Sequence, residues 1–335
     1  MTDAPLELTL EGVRAARERN RPHVAETPIH VWRGPEVAAR AGSGTEVVLK
    51  LELFQNTGTF KARGAITNVS TLSPEQLARG ITAVSAGNHA IAAAYAAQRL
   101  GASAKVVMMG TANPARVARC EAYGAEVLKA ATGAEAFALA TRIAEEEGRA
   151  FIHPFEGWPV AVGTATLGLE LHEQAGPLDA LIVPVGGGGL CAGVSWAIKR
   201  LQPGCKVYGV EPVGADSMTR SFAAGQPVQA APFATIADSL APPYSLPISF
   251  GLCRENLDGI VLVDDDQIMD AQAVLFREMK LAVEPAGAAA TAALFGPLRD
   301  ELEGKRVGII VCGANIDLEG FARQVARGNE IAGRI

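Results

Sequence analysis

The sequence predicts an α/β protein with open, mostly parallel sheets, and three observations carry that expectation. Short apolar runs alternate with longer Ala-rich stretches of helical length along most of the 335 residues. The runs are apolar on both faces rather than at every second position, which is the pattern of strands covered by helices on either side. Glycine-containing turns follow several of these runs directly, where a parallel strand hands over to a helix. At roughly 150 residues per domain, the length suggests two domains.

Taken in order, the strand candidates are residues 47–51 (VVLKL), 81–84 (ITAV), 105–109 (KVVMM), 180–185 (ALIVPV), 206–210 (KVYGV), 260–263 (IVLV) and 307–312 (VGIIVC). Each is short, apolar and rich in β-branched residues. Residues 89–100 and 135–147 between them are Ala-rich and of helical length. Residues 151–159 and 226–247 read as loops: the first suits a crossing between domains, the second an ordered path over a surface.

Composition removes several classes of function. Hydrophobic residues make up 49% and charged residues 20%, which excludes a disordered chain. The 36 glycines follow no collagen period. With 30 Lys+Arg against 36 Asp+Glu, the net charge of −6 offers no reason to bind nucleic acid or an anionic membrane. No apolar window reaches membrane-spanning length, and the N-terminus has no secretory pattern. Cys120, Cys191, Cys205, Cys253 and Cys312 are odd in number and form no C-x-x-C pair, arguing against a disulfide framework or a zinc site. A soluble, cytoplasmic protein is expected.

Four stretches carry chemistry. In KLELFQNTGTFKARGAITN, a helix is expected after the Gly58–Thr59 turn with Thr59 as N-cap, placing Lys61 in its first turn. A cation is disfavoured there by the helix dipole, and a neutral nitrogen or a nearby anion would remove the conflict. A solvated lysine at a fraying helix start is the plainer reading of that stretch alone. Ser85, Ala86, Gly87, Asn88 and His89 follow a strand and open a helix, a setting whose backbone N–H groups receive carboxylate or phosphate. Gly186, Gly187, Gly188, Gly189 and Leu190 repeat that setting with four glycines, so that backbone amides can wrap an anion closely. The run lacks both the G-x-G-x-x-G spacing and a following Lys-Ser/Thr, so neither a dinucleotide site nor a P-loop is supported. Finally, Cys312 ends the last strong strand at the carboxyl edge of the sheet, and Glu284 stands at a helix entrance. Singly, these read as a buried inert thiol and a cap partner.

Together and in this order, the stretches resemble the fold type II pyridoxal-phosphate enzymes, in particular the threonine/serine dehydratase and serine racemase branch. The pattern Thr59-Phe60-Lys61-Ala62-Arg63-Gly64-Ala65, the Ser85–His89 and Gly186–Gly189 loops, Glu284-Pro285 with Ala288, and Cys312-Gly313-Ala314-Asn315 carry the likeness. It runs from about Thr27 to Asp317.

The resemblance implies a large cofactor-binding domain of residues 1–76 and 154–335, with a small α/β domain of residues 77–153 inserted. It implies pyridoxal 5'-phosphate held by Lys61 as a Schiff base, with Phe60 against the ring. The residues implied to hold its phosphate are Gly186, Gly187, Gly188 and Gly189, with Leu190. Asn88 would meet its ring hydroxyl, Cys312 its ring nitrogen, and Glu284 is placed beside the cofactor as well. Ser85, Ala86, Gly87, Asn88 and His89 would take the substrate carboxylate. The implied reaction converts a β-hydroxy amino acid, such as threonine, serine, hydroxyaspartate or phenylserine, to a 2-oxo acid and ammonia, with Lys61 moving the α-proton. The family also implies a homodimer or tetramer.

Departures shape the expectation. Serine racemases carry a second serine where this chain has Ala86, so racemisation loses an acid/base and dehydration is favoured. Phe155-Glu156-Gly157-Trp158-Pro159 replaces an acidic stretch near the substrate, which allows an unusual side-chain preference. Glu211 and the Ala215 carbonyl match a divalent-cation (Mg²⁺ or Ca²⁺) segment of the racemase branch, but Ser217 stands where that segment has a carboxylate, which weakens such a site. The alternatives are a racemase on the same fold, or a non-catalytic phosphate-binding α/β protein in which Lys61 is inert.

Overall fold

A computed structural model describes residues 8–85, 87–229 and 232–333. Among the described residues, ten strands lie in two sheets: β1 (Ile29–Trp32), β2 (Glu46–Leu51), β3 (Ile81–Val84), β4 (Ala104–Met109), β5 (Glu126–Ala130), β6 (Ala150–Phe151), β7 (Ala180–Pro184), β8 (Lys206–Pro212), β9 (Gly259–Val263) and β10 (Arg306–Val311). The larger sheet has the order β1-β2-β10-β7-β8-β9 and the smaller β5-β4-β3-β6. Every pairing is parallel except β1 with β2. This is the fold type II architecture, two open α/β layers with a crevice at the carboxyl ends of their strands.

The seven expected strands are present, with ends shifted by at most two residues. β1, β5 and β6 escape the apolar-run criterion for one physical reason. All three lie at sheet edges, where partial exposure leaves no unbroken apolar run, and β6 has only two residues. Residues 226–247 form an irregular path, pinned by a Gln229–Tyr244 bridge and a short 3₁₀ turn at Asp238–Leu240. Among the described residues, no helix is long and apolar enough to cross a membrane.

The helix Lys61–Val69 faces both layers. Ala62, Ala65, Ile66 and Val69 join the core under the smaller sheet. Its other side meets the helix Trp158–Ala175, where a Cβ on Gly163 would lie 2.6 Å from the Arg63 carbonyl and 2.8 Å from Gly64 Cα. Only glycine permits so close a backbone crossing.

Candidate active site

The turn before Lys61 is fixed by the end of the chain's last strand. Thr59 bridges Gly313, Phe60 N donates to the Cys312 carbonyl at 3.1 Å, and Ala314 N donates to the Gly58 carbonyl at 3.0 Å. The structure corrects the expected cap: Phe60 is the N-cap, with φ −54°, and Lys61 is the first helical residue. Thr59 is drawn out of the cap position by its bridge, although its Oγ1 still accepts Lys61 N at 3.3 Å.

Lys61 Nζ donates to the Pro154 carbonyl at 2.6 Å and lies 5.1 Å from the centroid of the Phe60 ring. Burial lowers its pKa to about 8, and the nearby Glu284 opposes that shift only in part. The dipole of the Lys61–Val69 helix acts in the same direction. A short step therefore makes this amine neutral and nucleophilic.

Lys61 shares one pocket with Phe60, Asn88, Phe155, Leu240, Glu284 and Cys312, and with all four glycines of the loop. The loop leaves β7 and enters the helix Gly189–Leu201. Gly188 has φ +89°, and a Cβ there would lie 2.7 Å from Met218 Cε. A Cβ on Gly187 would enter the Phe155 ring, and one on Gly189 would come within 2.6 Å of the Phe155 carbonyl. Among the described residues, the amides of residues 186–190 donate to no protein acceptor. What remains is a bare amide cradle at a helix N-terminus, suited to a phosphate.

Opposite it, Asn88 Nδ2 donates to Glu284 Oε1 at 2.7 Å and Ser239 Oγ at 3.2 Å, while Asn88 Oδ1 accepts from Asn315 Nδ2 at 2.8 Å. Glu284 Oε2 is buried without a partner. Burial raises the Glu284 carboxyl to about 7. Arg116 Nη2, 3.9 Å away, relieves this only in part. Burial also holds the Cys312 thiol well above its ordinary value, so it stays protonated.

In the second loop, Ser85 Oγ accepts Gly87 N at 3.0 Å, and Ala86 lies outside the described residues. His89 Nε2 meets the Ile152 carbonyl at 2.8 Å, so it carries the proton, and burial lowers the ring's pKa to about 3. His89 is thus tied to the backbone of the small layer. Arg116 crosses the crevice to Asp238 at 2.8 Å and to the Asn315 carbonyl at 3.1 Å. Sequence reasoning missed Arg116, Ser239 and Leu240, because they reach the crevice only through tertiary packing.

Away from the pocket, Glu211 accepts hydrogen bonds from Met218 N at 2.8 Å, and from Thr219 N and Oγ1 at 2.7 Å each. Both its oxygens thus serve the start of the helix Ser217–Ala224. Ser217 Oγ is buried without a partner, and Ala215 lies in the turn between them.

Behind Lys61, Arg63 sits in a buried ionic cluster. Its guanidinium donates to Glu52 through two bonds of 2.8 Å and to Glu170 at 2.9 and 3.0 Å. Lys50 Nζ reaches Glu170 at 2.5 Å, the Thr27 carbonyl at 2.6 Å and Gln174 at 2.7 Å.

Residues 21–313 match a protein-family model described as pyridoxal-phosphate dependent enzyme. The chain is 53% identical over 319 residues to a phenylserine dehydratase of Ralstonia pickettii, covering 95% of this chain and 97% of that one. It is 38% identical over 293 residues to an L-threonine ammonia-lyase of Thermotoga maritima, covering 87% and 73%. Among solved structures it is similar to maize serine racemase, with a TM-score of 0.87 and 33% identity over 95% of this chain and 98% of that one.

Proposed function

The chain belongs to the pyridoxal-phosphate-dependent enzymes, and from that premise we propose that it is an ammonia-lyase that converts a β-hydroxy amino acid to a 2-oxo acid and ammonia. One observation carries the reading: a buried lysine of lowered pKa faces a side-chain-free amide cradle, with a protonated thiol in the same pocket.

These residues fit the cofactor. Lys61 would hold it covalently, with Phe60 against its ring. The amides of Gly186, Gly187, Gly188, Gly189 and Leu190 would take its phosphate, and Asn88 its ring hydroxyl, with Glu284 behind Asn88. When bound, pyridoxal phosphate supplies the electron sink that acidifies the α-carbon. Lys61 would take the α-proton on a nitrogen that burial already favours neutral. Cys312 would meet the ring nitrogen as a neutral thiol and lend the ring no charge, which suits prompt loss of the β-hydroxyl. The Ser85–His89 loop, Ala86 included, would receive the substrate carboxylate on its amides.

The preferred substrate is a phenylserine-type amino acid, a reading supported by 53% identity to a phenylserine dehydratase against 38% to a threonine ammonia-lyase. The family resemblance supports a homodimer or tetramer. A divalent cation at Glu211, Ala215 and Ser217 has weaker support, since both Glu211 oxygens are engaged by the helix they cap. Protein purified with pyridoxal phosphate should show a visible absorbance band that borohydride traps on Lys61. It should release 2-oxo acid from a panel of serine, threonine, hydroxyaspartate and phenylserine, fastest from phenylserine. Absence of the band defeats the enzyme reading, and a preference for threonine defeats the substrate reading.

A further inference from the structure

One feature of the pocket wall is not used by any of these roles. Phe155 lines the pocket, and from it a chain of rings leads out to the smaller layer. His153 packs edge-on against Phe155, with centroids 4.6 Å apart at 89°. Tyr244, from the irregular segment before the helix Pro247–Asn256, lies 6.1 Å from Phe155 at 59°. Phe137, on the helix Gly133–Glu147 that covers the smaller sheet, lies 5.7 Å from Tyr244 at 56°. Phe155 is buried, and Phe137, His153 and Tyr244 are half-buried. Through these contacts, rings from both layers meet at Phe155 on the pocket wall, a surface suited to another ring.

The backbone holds the rings in register. Glu156, next to Phe155, accepts from Ile248 N at 2.7 Å and Ser249 N at 3.0 Å, which ties the Phe155 segment to the helix that follows Tyr244. The Gln229–Tyr244 bridge fixes Tyr244 from the other side. The His153 ring is neutral, because its Nδ1 accepts from Phe155 N at 3.3 Å and Glu156 N at 3.0 Å and burial lowers its pKa to about 4. The rings therefore offer an apolar, uncharged surface and no cation for an acidic side chain.

We propose that Phe155, Tyr244 and Phe137 form a side-chain subsite that recognises the aryl group of a β-aryl-β-hydroxy amino acid. This rests on the reading of the enzyme as an aryl-preferring ammonia-lyase and names the residues that set the preference. Preorganised aromatic contacts give selectivity because the aryl ring leaves water for a fitted face, whereas a methyl group gains little from the same surface.

The test is steady-state 2-oxo acid release by the holoenzyme from phenylserine and from threonine, in wild type and in Tyr244→Ala, Phe137→Ala and Tyr244→Phe. Both alanine variants should lose about tenfold or more in kcat/KM for phenylserine while changing threonine by less than about threefold. Tyr244→Phe should retain the wild-type ratio, since the ring and not the hydroxyl makes the contact. Should either alanine variant fail to fold, Tyr244→Leu or Phe137→Leu keeps the bulk without the ring and should show the same selective loss. Wild-type enzyme that turns over threonine but not phenylserine overturns the substrate reading and the subsite together. Wild-type turnover of phenylserine with an unchanged ratio in the variants, or an equal fall for both substrates, overturns the subsite alone.

Discussion

Lys61 and Arg63 stand two residues apart on one helix, and their surroundings could hardly differ more. Arg63 is buried with Lys50, Glu52 and Glu170, two cations against two anions, every one hydrogen-bonded. Against the desolvation that burial imposes, the two carboxylates raise the Arg63 pKa. Lys61 has a single carbonyl partner and, among the described residues, no ion pair, so desolvation prevails and its pKa falls. Nearby, Glu284 keeps one oxygen unpartnered and Cys312 stays a protonated thiol. Burial is common to both places, and satisfaction separates them: the ionic cluster fixes the helix, and the pocket is left with groups that need a ligand.

The largest expected effect tests that division directly. Lys61→Ala should lower turnover by about 10³-fold or more, judged by 2-oxo acid release, because the nucleophile and proton carrier are lost together. Its apoprotein should melt no lower than wild type, since a costly buried amine has gone. A large loss of stability would break the comparison by making Lys61 a structural residue.

Next, Arg63→Met leaves Glu52 and Glu170 buried with only Lys50 between them. Removing one partner of a buried ionic cluster costs about 3–5 kcal/mol, which a shift of the urea midpoint would report. A cost of a few tenths would show that the cluster is not what holds the helix.

The smallest effect is a contrast in pH. Glu284 titrates at about 7 in the folded chain against an ordinary value of 4.5, so the unfolded chain loses this proton first as pH rises. Wild-type apoprotein should therefore lose stability relative to Glu284→Gln between pH 4.5 and 7, by at most about 3 kcal/mol, with no further divergence above. Glu170 runs the other way: Arg63 and Lys50 hold its carboxyl below the ordinary value despite burial, so its contribution is present above pH 4.5 and lost as pH falls. Melting curves from about pH 2.5 to 8 would show whether the two carboxyls part in this manner.

Much of this was legible in the residues. The strands buried on both faces announce themselves as unbroken apolar runs, and the motif residues Lys61, Asn88, Gly186, Glu284 and Cys312 do line one pocket. Edge strands such as β5 (EVLKA) were hidden because exposure admits charge into the run. Arg116 lies on an amphipathic helix, and Leu240 and Tyr244 on an irregular segment, none within a motif, and their positions are decided by which helix packs beside which loop. The ionic cluster was equally silent, since Glu52 and Glu170 are 118 positions apart and nothing local pairs them through Arg63.

The place of β10 bears on how the molecule is made. It lies between β2 and β7, and its end stitches down the turn before Lys61. A chain growing on the ribosome can complete the four strands of the smaller sheet once residue 151 has emerged. The larger sheet remains two separated halves until residues 306–311 arrive to join them. The nascent protein thus spends most of its synthesis with Lys61 already made and no finished pocket around it. A finished cofactor pocket therefore waits on β10, the strand that joins the two halves.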